Sequence, residues 1–165
     1  MTLRALGLLA AFIVAADRLT KLWIIDAVAY GGEIRVIDGF FSIVHFRNPG
    51  AAFGMGANLA SPWREVLLIS VAVIAVVMLV NLLRMSTPTD RLLRVSAASI
   101  IGGAIGNLYD RIAYGEVVDF LYFYWGDWYW PAFNVADSCI SVGAVLLVVA
   151  TVISERRHAR ETAAP

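Results

Sequence analysis

Four apolar runs, each long enough to cross a bilayer, constrain this chain more than any other feature of its sequence. A hydrocarbon core of about 30 Å requires about 20 residues of helix, and the sequence supplies such runs at Leu3–Ile25, Trp63–Leu83, Leu92–Ala113 and Asn134–Ser154. In lipid, backbone polar groups must be satisfied within the segment, so these runs are expected to be helices. The composition agrees: 60% of residues are hydrophobic, 16% are charged and mean hydropathy is +0.74, far more apolar than a soluble domain. The length suits one compact unit, residues 1–165. A formal net charge of zero gives no basic face, so nucleic acid is not an expected partner.

The first run contains Leu6–Ala16, which taken alone reads like a signal sequence. Its pattern resumes after Asp17-Arg18-Leu19-Thr20-Lys21, so the expectation is one retained helix carrying buried charges. Asp17 and Lys21 stand four residues apart, on one helical face. Such charges mark either function or a structural ion pair. In the third run, Gly102 and Gly106 have the small-xxx-small spacing that lets helices approach closely. Asn107, Asp110 and Arg111 follow within the next turn. At about 1.5 Å per residue, Asp17 and Asn107 both lie about 21–22 Å into their helices, so two helices bring polar groups to one level. Arg111 is expected to pair with a carboxylate or to anchor a substrate backbone.

Basic residues set the orientation. Arg4, Arg84, Arg91, Arg94, Arg156, Arg157 and Arg160 flank one side, whereas the 26–62 and 114–133 connections carry only Arg35 and Arg47, with Arg64 at a helix edge. The positive-inside rule then places both termini in the cytoplasm and both long connections outside.

In the first outer connection, Ile34–Phe46 is rich in β-branched and aromatic residues around Asp38-Gly39, which predicts a short hairpin. Asn48, in Arg47-Asn48-Pro49-Gly50, either forms a turn or hydrogen-bonds a carboxylate or peptide. His45 is read as a packing residue. The second connection, Phe120–Phe133, is expected to be an interfacial aromatic loop and a lid or flank for a lipid-side cleft, with Asp127 a solvated charge.

Asp119 and Asp137 bracket that loop, one following an apolar run and one opening the next. Two neighbouring carboxylates titrate apart, which gives the base and the acid that amide hydrolysis by water requires. Ser138 and Cys139 have no placed histidine, and two histidines with one cysteine make a poor metal set. Proton-coupled transport also uses intramembrane carboxylates, so a small transporter remains the alternative at this point.

The blocks D-R-L-T-K (Asp17–Lys21), R-N-P-G-A-A-F-G (Arg47–Gly54), G-G-A-I-G-N-L-Y-D-R (Gly102–Arg111), V-V-D-F (Val117–Phe120) and F-N-V-A-D (Phe133–Asp137) together resemble the lipoprotein signal peptidase family, signal peptidase II. The resemblance implies an aspartyl endopeptidase of the bacterial plasma membrane that cleaves prolipoproteins just before a diacylglyceryl-modified cysteine. It implies a catalytic dyad of Asp119 and Asp137. Site support or substrate contact would fall to Asp17, Lys21, Asn48, Gly102, Asn107, Asp110, Arg111, Asn134 and Ala136. It further implies an all-α membrane fold of four transmembrane helices with an outer β-cradle and a short interfacial helix, contact with membrane lipid, and inhibition by the cyclic peptide globomycin. No cofactor or metal is implied.

Overall fold

The computed structural model describes residues 1–50 and 62–163, with side chains to residue 156. The Ala51–Gly54 part of the R-N-P-G-A-A-F-G block in the first outer connection and the side chains of Arg157 and Arg160 lie outside the described residues. Among the described residues, four helices, α1 (Leu3–Ala27), α2 (Trp63–Met85), α3 (Arg91–Tyr114) and α4 (Val135–Ala163), and four strands, β1 (Glu33–Ile37), β2 (Phe41–Asn48), β3 (Val117–Trp125) and β4 (Trp128–Phe133), follow in the order α1-β1-β2-α2-α3-β3-β4-α4. The strands form one antiparallel sheet in the order β1-β2-β3-β4.

Three helices, α2, α3 and α4 over Val135–Arg156, are long and apolar enough to cross a membrane. α1 has the length, at 25 residues, but Asp17, Arg18, Lys21 and Asp26 interrupt its apolar character. Those charges do not all face outward. The buried residues of α1 are Leu6, Ile13, Asp17, Lys21 and Ile24, a stripe at helical spacing that carries an ion pair, Asp17 with Lys21, in its second half.

α3 is the central helix. Half of its most apolar window is buried, against 6% for α2 and 17% for α4. Its glycines explain how: a Cβ on Gly102 would lie 2.9 Å from the Ala10 carbonyl oxygen of α1, and one on Gly103 would lie 2.5 Å from the Ala136 carbonyl oxygen of α4. One turn above Gly102, a Cβ on Gly106 would meet Asp17 Oδ2 at 2.6 Å. The same glycine-rich turn thus admits α1 on one side and α4 on the other. At the far end Leu6, Leu83, Ala97, Ala98 and Ile101 close an apolar cluster. The Met1 ammonium donates to the Pro88 carbonyl and ties the N-terminus to the α2–α3 turn. α2 instead turns Val66, Leu67, Val71, Ile74, Val77 and Met78 outward, as a lipid-facing helix would.

The aromatic connection is not a loop or an interfacial helix. It forms β3 and β4, joined by Gly126-Asp127, where Gly126 has φ of 57° and Trp125 faces Trp128. The reason is local: β-branched and aromatic residues fit a pleated surface, and a two-residue turn with a glycine at positive φ closes a hairpin. The aromatic rings lie along it, with Tyr122 stacked on Tyr124 and Phe123 on Phe133. Among the described residues there is no short interfacial helix. The sheet rests on α1 through Ile24, Val28, Val118 and Phe120, and the expected hairpin around Asp38-Gly39 is its outer pair, β1 and β2.

Replacing Gly103 or Gly106 by alanine is expected to lower stability by about 1–3 kcal/mol through overpacking. Gly7→Ala, with nothing within 4 Å of the new Cβ, should be neutral or slightly stabilising. Thermal unfolding of the three variants in detergent checks the contrast.

Candidate active site

Asp119 owes its position to the end of α3. Gly115 caps that helix in the left-handed conformation, with φ of 75°, and the chain turns directly into β3, whose first four residues Val117–Phe120 are all buried. Asp119 pairs with Phe46 of β2, and the ladder slips between Ile43 and Phe46. β3 meets a second irregularity against β4 between Leu121 and Phe123. Bulges of this kind redirect side chains near binding sites, and here they lie on either neighbour of the strand that carries Asp119.

Asp137 owes its position to the start of α4. Asn134 precedes the helix, and its Oδ1 accepts from Asp137 N at 2.9 Å while Asp137 Oδ2 accepts from Asn134 N at 3.2 Å. This reciprocal pair is a capping box, with the carboxylate in the first turn, where the helix dipole favours negative charge. Ala136, between them, gives its N–H to Asp17 Oδ1 at 3.0 Å, so α1 caps the same turn from outside.

The Asn134 amide then bridges the two aspartates. Its Nδ2 donates to Asp119 Oδ1 at 2.8 Å and lies within 3.2 Å of the Val118 carbonyl and 3.3 Å of Asn107 Oδ1. Asn48 Nδ2 donates to Asp119 Oδ2 at 3.0 Å, while its Oδ1 accepts from Gly50 N at 3.0 Å. The two roles considered for Asn48, turn and carboxylate partner, are therefore one arrangement. Asn107 Nδ2 donates to Asp137 Oδ1 at 2.7 Å.

Behind Asn107 lies a buried ionic cluster. Lys21 Nζ stands 2.7 Å from Asp17 Oδ2, 2.8 Å from Asp110 Oδ2 and 2.9 Å from Asn107 Oδ1, with the Lys21, Asp17 and Asp110 side chains fully buried. Removing one partner from such a cluster costs about 3–5 kcal/mol. Arg18 completes it by pairing with Asp110 and lying 4.3 Å over the Tyr109 ring. Sequence reasoning gave Arg18 no role, although it adjoins Asp17. The signal was the need for a second cation once two carboxylates occupy one buried level.

Arg111 departs from expectation. Among the described residues it forms no ion pair with a carboxylate, and its guanidinium donates instead to the Gly50 carbonyl at 3.0 Å and the Asn107 carbonyl at 3.4 Å. A backbone acceptor one turn back and another from the Asn48 turn lie within its reach, so the carboxylates remain with the asparagines. Gly102 lies lower, at the α1 crossing, and touches no polar group of the site. His45 Nδ1 bonds the Val28 carbonyl at 2.8 Å beside Tyr30, away from both aspartates.

Asp119, Asp137, Asn48, Asn107 and Arg111 share a cavity of about 460 Å³, walled on its apolar side by Val117, Trp130–Phe133, Ile140 and Val142. Burial first, and the neighbouring Asp137 second, push the Asp119 carboxyl up to about 7, against the pull of Asn48, Asn134 and Lys21 toward the ionised form. Asp119 thus holds a proton near neutrality beside a second carboxyl. Among the described residues no group of three or more His, Cys, Asp or Glu is placed to hold a metal ion.

The model of the family described as signal peptidase (SPase) II matches residues 9–153. A lipoprotein signal peptidase of Symbiobacterium thermophilum is 45% identical over 149 residues, 90% of this chain and 95% of that one. Another, from Syntrophotalea carbinolica, is 43% identical and covers 94% of this chain and 95% of its own. A solved structure described as a bacterial membrane enzyme, at 2.3 Å resolution, superposes with a TM-score of 0.82 at 30% identity, covering 93% of this chain and 90% of that one.

A carboxyl raised in the folded state binds its proton more firmly than in the unfolded chain. The stability it contributes is complete below the unfolded value of 3.8 and is lost as pH rises through about 7. Wild-type protein in detergent should lose about 2–3 kcal/mol between about pH 5 and pH 8 from this group, and Asp119→Asn should flatten that slope. Unfolding curves of both proteins at the two pH values measure the difference.

Proposed function

The chain belongs to the signal peptidase II family, membrane proteases of lipoprotein processing, and from that membership we propose that it is an aspartyl endopeptidase whose dyad is Asp119 and Asp137. The observation that carries the reading is the Asn134 bridge: one buried residue caps Asp137 and donates to Asp119, the two carboxyls that line one cavity.

The substrates are prolipoproteins, and cleavage falls just before the diacylglyceryl-modified cysteine. Asp137 acts as base: it takes a proton from water as the water oxygen bonds to the scissile carbonyl carbon. Asp119, protonated, donates to the carbonyl oxygen and stabilises the charge developing there. Collapse of the tetrahedral intermediate breaks the C–N bond, Asp137 returns its proton to the leaving amine, and Asp119 recovers its own. Asn48, Asn134 and Asn107 keep both carboxyls oriented, and Arg111, held against two carbonyls, lines the cavity as a donor toward the substrate backbone. No metal or organic cofactor enters the reaction. Trp130, Pro131 and Phe133 give the cavity an apolar wall for the lipid-modified residue, and globomycin would occupy the same cavity.

α1, α2, α3 and α4 all span the membrane in this reading, as one unit over residues 1–165. The charges of α1 are tolerated because Asp17 and Lys21 neutralise each other inside the bundle and Arg18 is paired with Asp110. With Arg4, Arg84 and Arg91 at the end that holds Met1, both termini are cytoplasmic, and the sheet and dyad sit at the outer face. A cavity there accepts a signal helix from the bilayer while its lipid tails stay in lipid.

Purified protein with diacylglyceryl-modified prolipoprotein in detergent, followed by the gel shift for signal-peptide loss, tests the dyad. Wild type should cleave, and Asp119→Asn and Asp137→Asn should each lose about 10³-fold or more, a transition-state cost of about 4 kcal/mol. Near-full activity in either variant would remove that aspartate from the reaction.

A further inference from the structure

Lys21 touches neither Asp119 nor Asp137 and does not line the cavity, yet it bears on Asp137 through a single side chain, Asn107. An ammonium has three donors and no acceptor, and the three of Lys21 meet Asp17 Oδ2, Asp110 Oδ2 and Asn107 Oδ1 at 2.7–2.9 Å. Only an oxygen is tolerated opposite Nζ. The Asn107 amide is thereby forced to turn its carbonyl to Lys21 and its NH₂ to Asp137 Oδ1, at 2.7 Å.

We propose that Lys21 is a positioning residue for the proteolytic reaction: it locks the Asn107 amide so that an N–H is always presented to Asp137. The inference rests on the aspartyl-dyad reading and adds to it the cause of one orientation on which the dyad depends. Without Lys21, the Asn107 carbonyl keeps only Asn134 Nδ2, at 3.3 Å and shared with the Val118 carbonyl and Asp119, and the bond to Asp137 alone holds the other end of the amide. The amide then loses its fixed orientation, and each turn that sets its oxygen against Asp137 Oδ1 places two acceptors together and removes the donor that holds the base.

The surrounding charges decide how to test this. Asp17 and Asp110 are balanced by Lys21 and Arg18, so removing Lys21 alone would strand a buried carboxylate. Pairing each Lys21 substitution with Asp17→Asn restores neutrality, and the amide oxygen introduced at position 17 still accepts from Ala136 N. The full chain in detergent is assayed on diacylglyceryl-modified prolipoprotein as wild type, Lys21→Met/Asp17→Asn and Lys21→Gln/Asp17→Asn. Glutamine keeps a donor toward Asn107 without the charge; methionine keeps neither.

Relative to the charge-matched glutamine variant, the methionine variant should lose about 30-fold or more in kcat with KM changed less than about threefold, and the glutamine variant should stay within about fivefold of wild type. In an Asn107→Ala background, the methionine and glutamine variants should differ by less than about threefold, because the residue through which the difference acts is gone. Equal losses for methionine and glutamine, or an undiminished loss in the Asn107→Ala background, would overturn the proposal. If the methionine variant does not fold, the glutamine variant decides: activity supports the proposal, and a folded protein as inactive as Asn107→Ala overturns it. Wild-type cleavage with an inactive Asp137→Asn establishes the dyad separately, so failure here leaves that reading intact.

Discussion

A single ammonium group, fully buried where three helices meet, sets the terms for the rest of the molecule. Lys21 is met by Asp17 from its own helix and by Asp110 and Asn107 from α3. Each partner also reaches a different part of the site: Asp17 to the first turn of α4, Asp110 to the Val118 N–H of β3, and Asn107 to Asp137. A buried ion cluster of this kind stabilises little in itself, because desolvation offsets the Coulomb attraction. What it provides is registration. Two helix ends and a strand are fixed relative to one another by groups that tolerate no alternative partner.

Space for the cluster comes from the backbone. Gly106 leaves room for Asp17, and Gly103 lets α4 approach closely enough for Asn134 to span from Asp119 to the α4 cap. The polar site is therefore a consequence of close helix packing at one end of the bundle, while the opposite end is closed by Leu6, Leu83 and Ala97. That asymmetry suits a protease of the bilayer: the buried carboxyls Asp17, Asp110 and Asp119 gather at one end of the bundle, and the apolar wall of the cavity continues along α4 at Ile140 and Val142.

Much of this was legible in the sequence, for identifiable reasons. The apolar runs declare their helices because lipid forbids other solutions, and Asp38-Gly39 between β-branched runs declares its hairpin. The aromatic stretch misled because rings at a membrane surface satisfy an interfacial belt as well as a strand. Gly126-Asp127, a turn dipeptide led by its glycine where Asp38-Gly39 ends on one, was the clue that separated them. α1 is the reverse case, since Asp17 and Lys21 lower its apolar character although they face inward and neutralise each other. Arg111 eluded the sequence for a different reason: its partners are main-chain carbonyls, which leave no trace in residue identity. Neither do the two irregularities in the ladder beside Asp119, which depend on how three strands meet.

The central claim is that two carboxyls share one reaction, Asp119 carrying the proton and Asp137 accepting one. The most direct test is the pH dependence of kcat/KM for wild-type protein on diacylglyceryl-modified prolipoprotein in detergent. With Asp119 titrating at about 7, activity should fall about tenfold per unit once pH exceeds that value, as the free enzyme loses its acid. A profile that stays flat to about pH 9, or that rises through the range in which a histidine or thiol would ionise, would contradict the dyad.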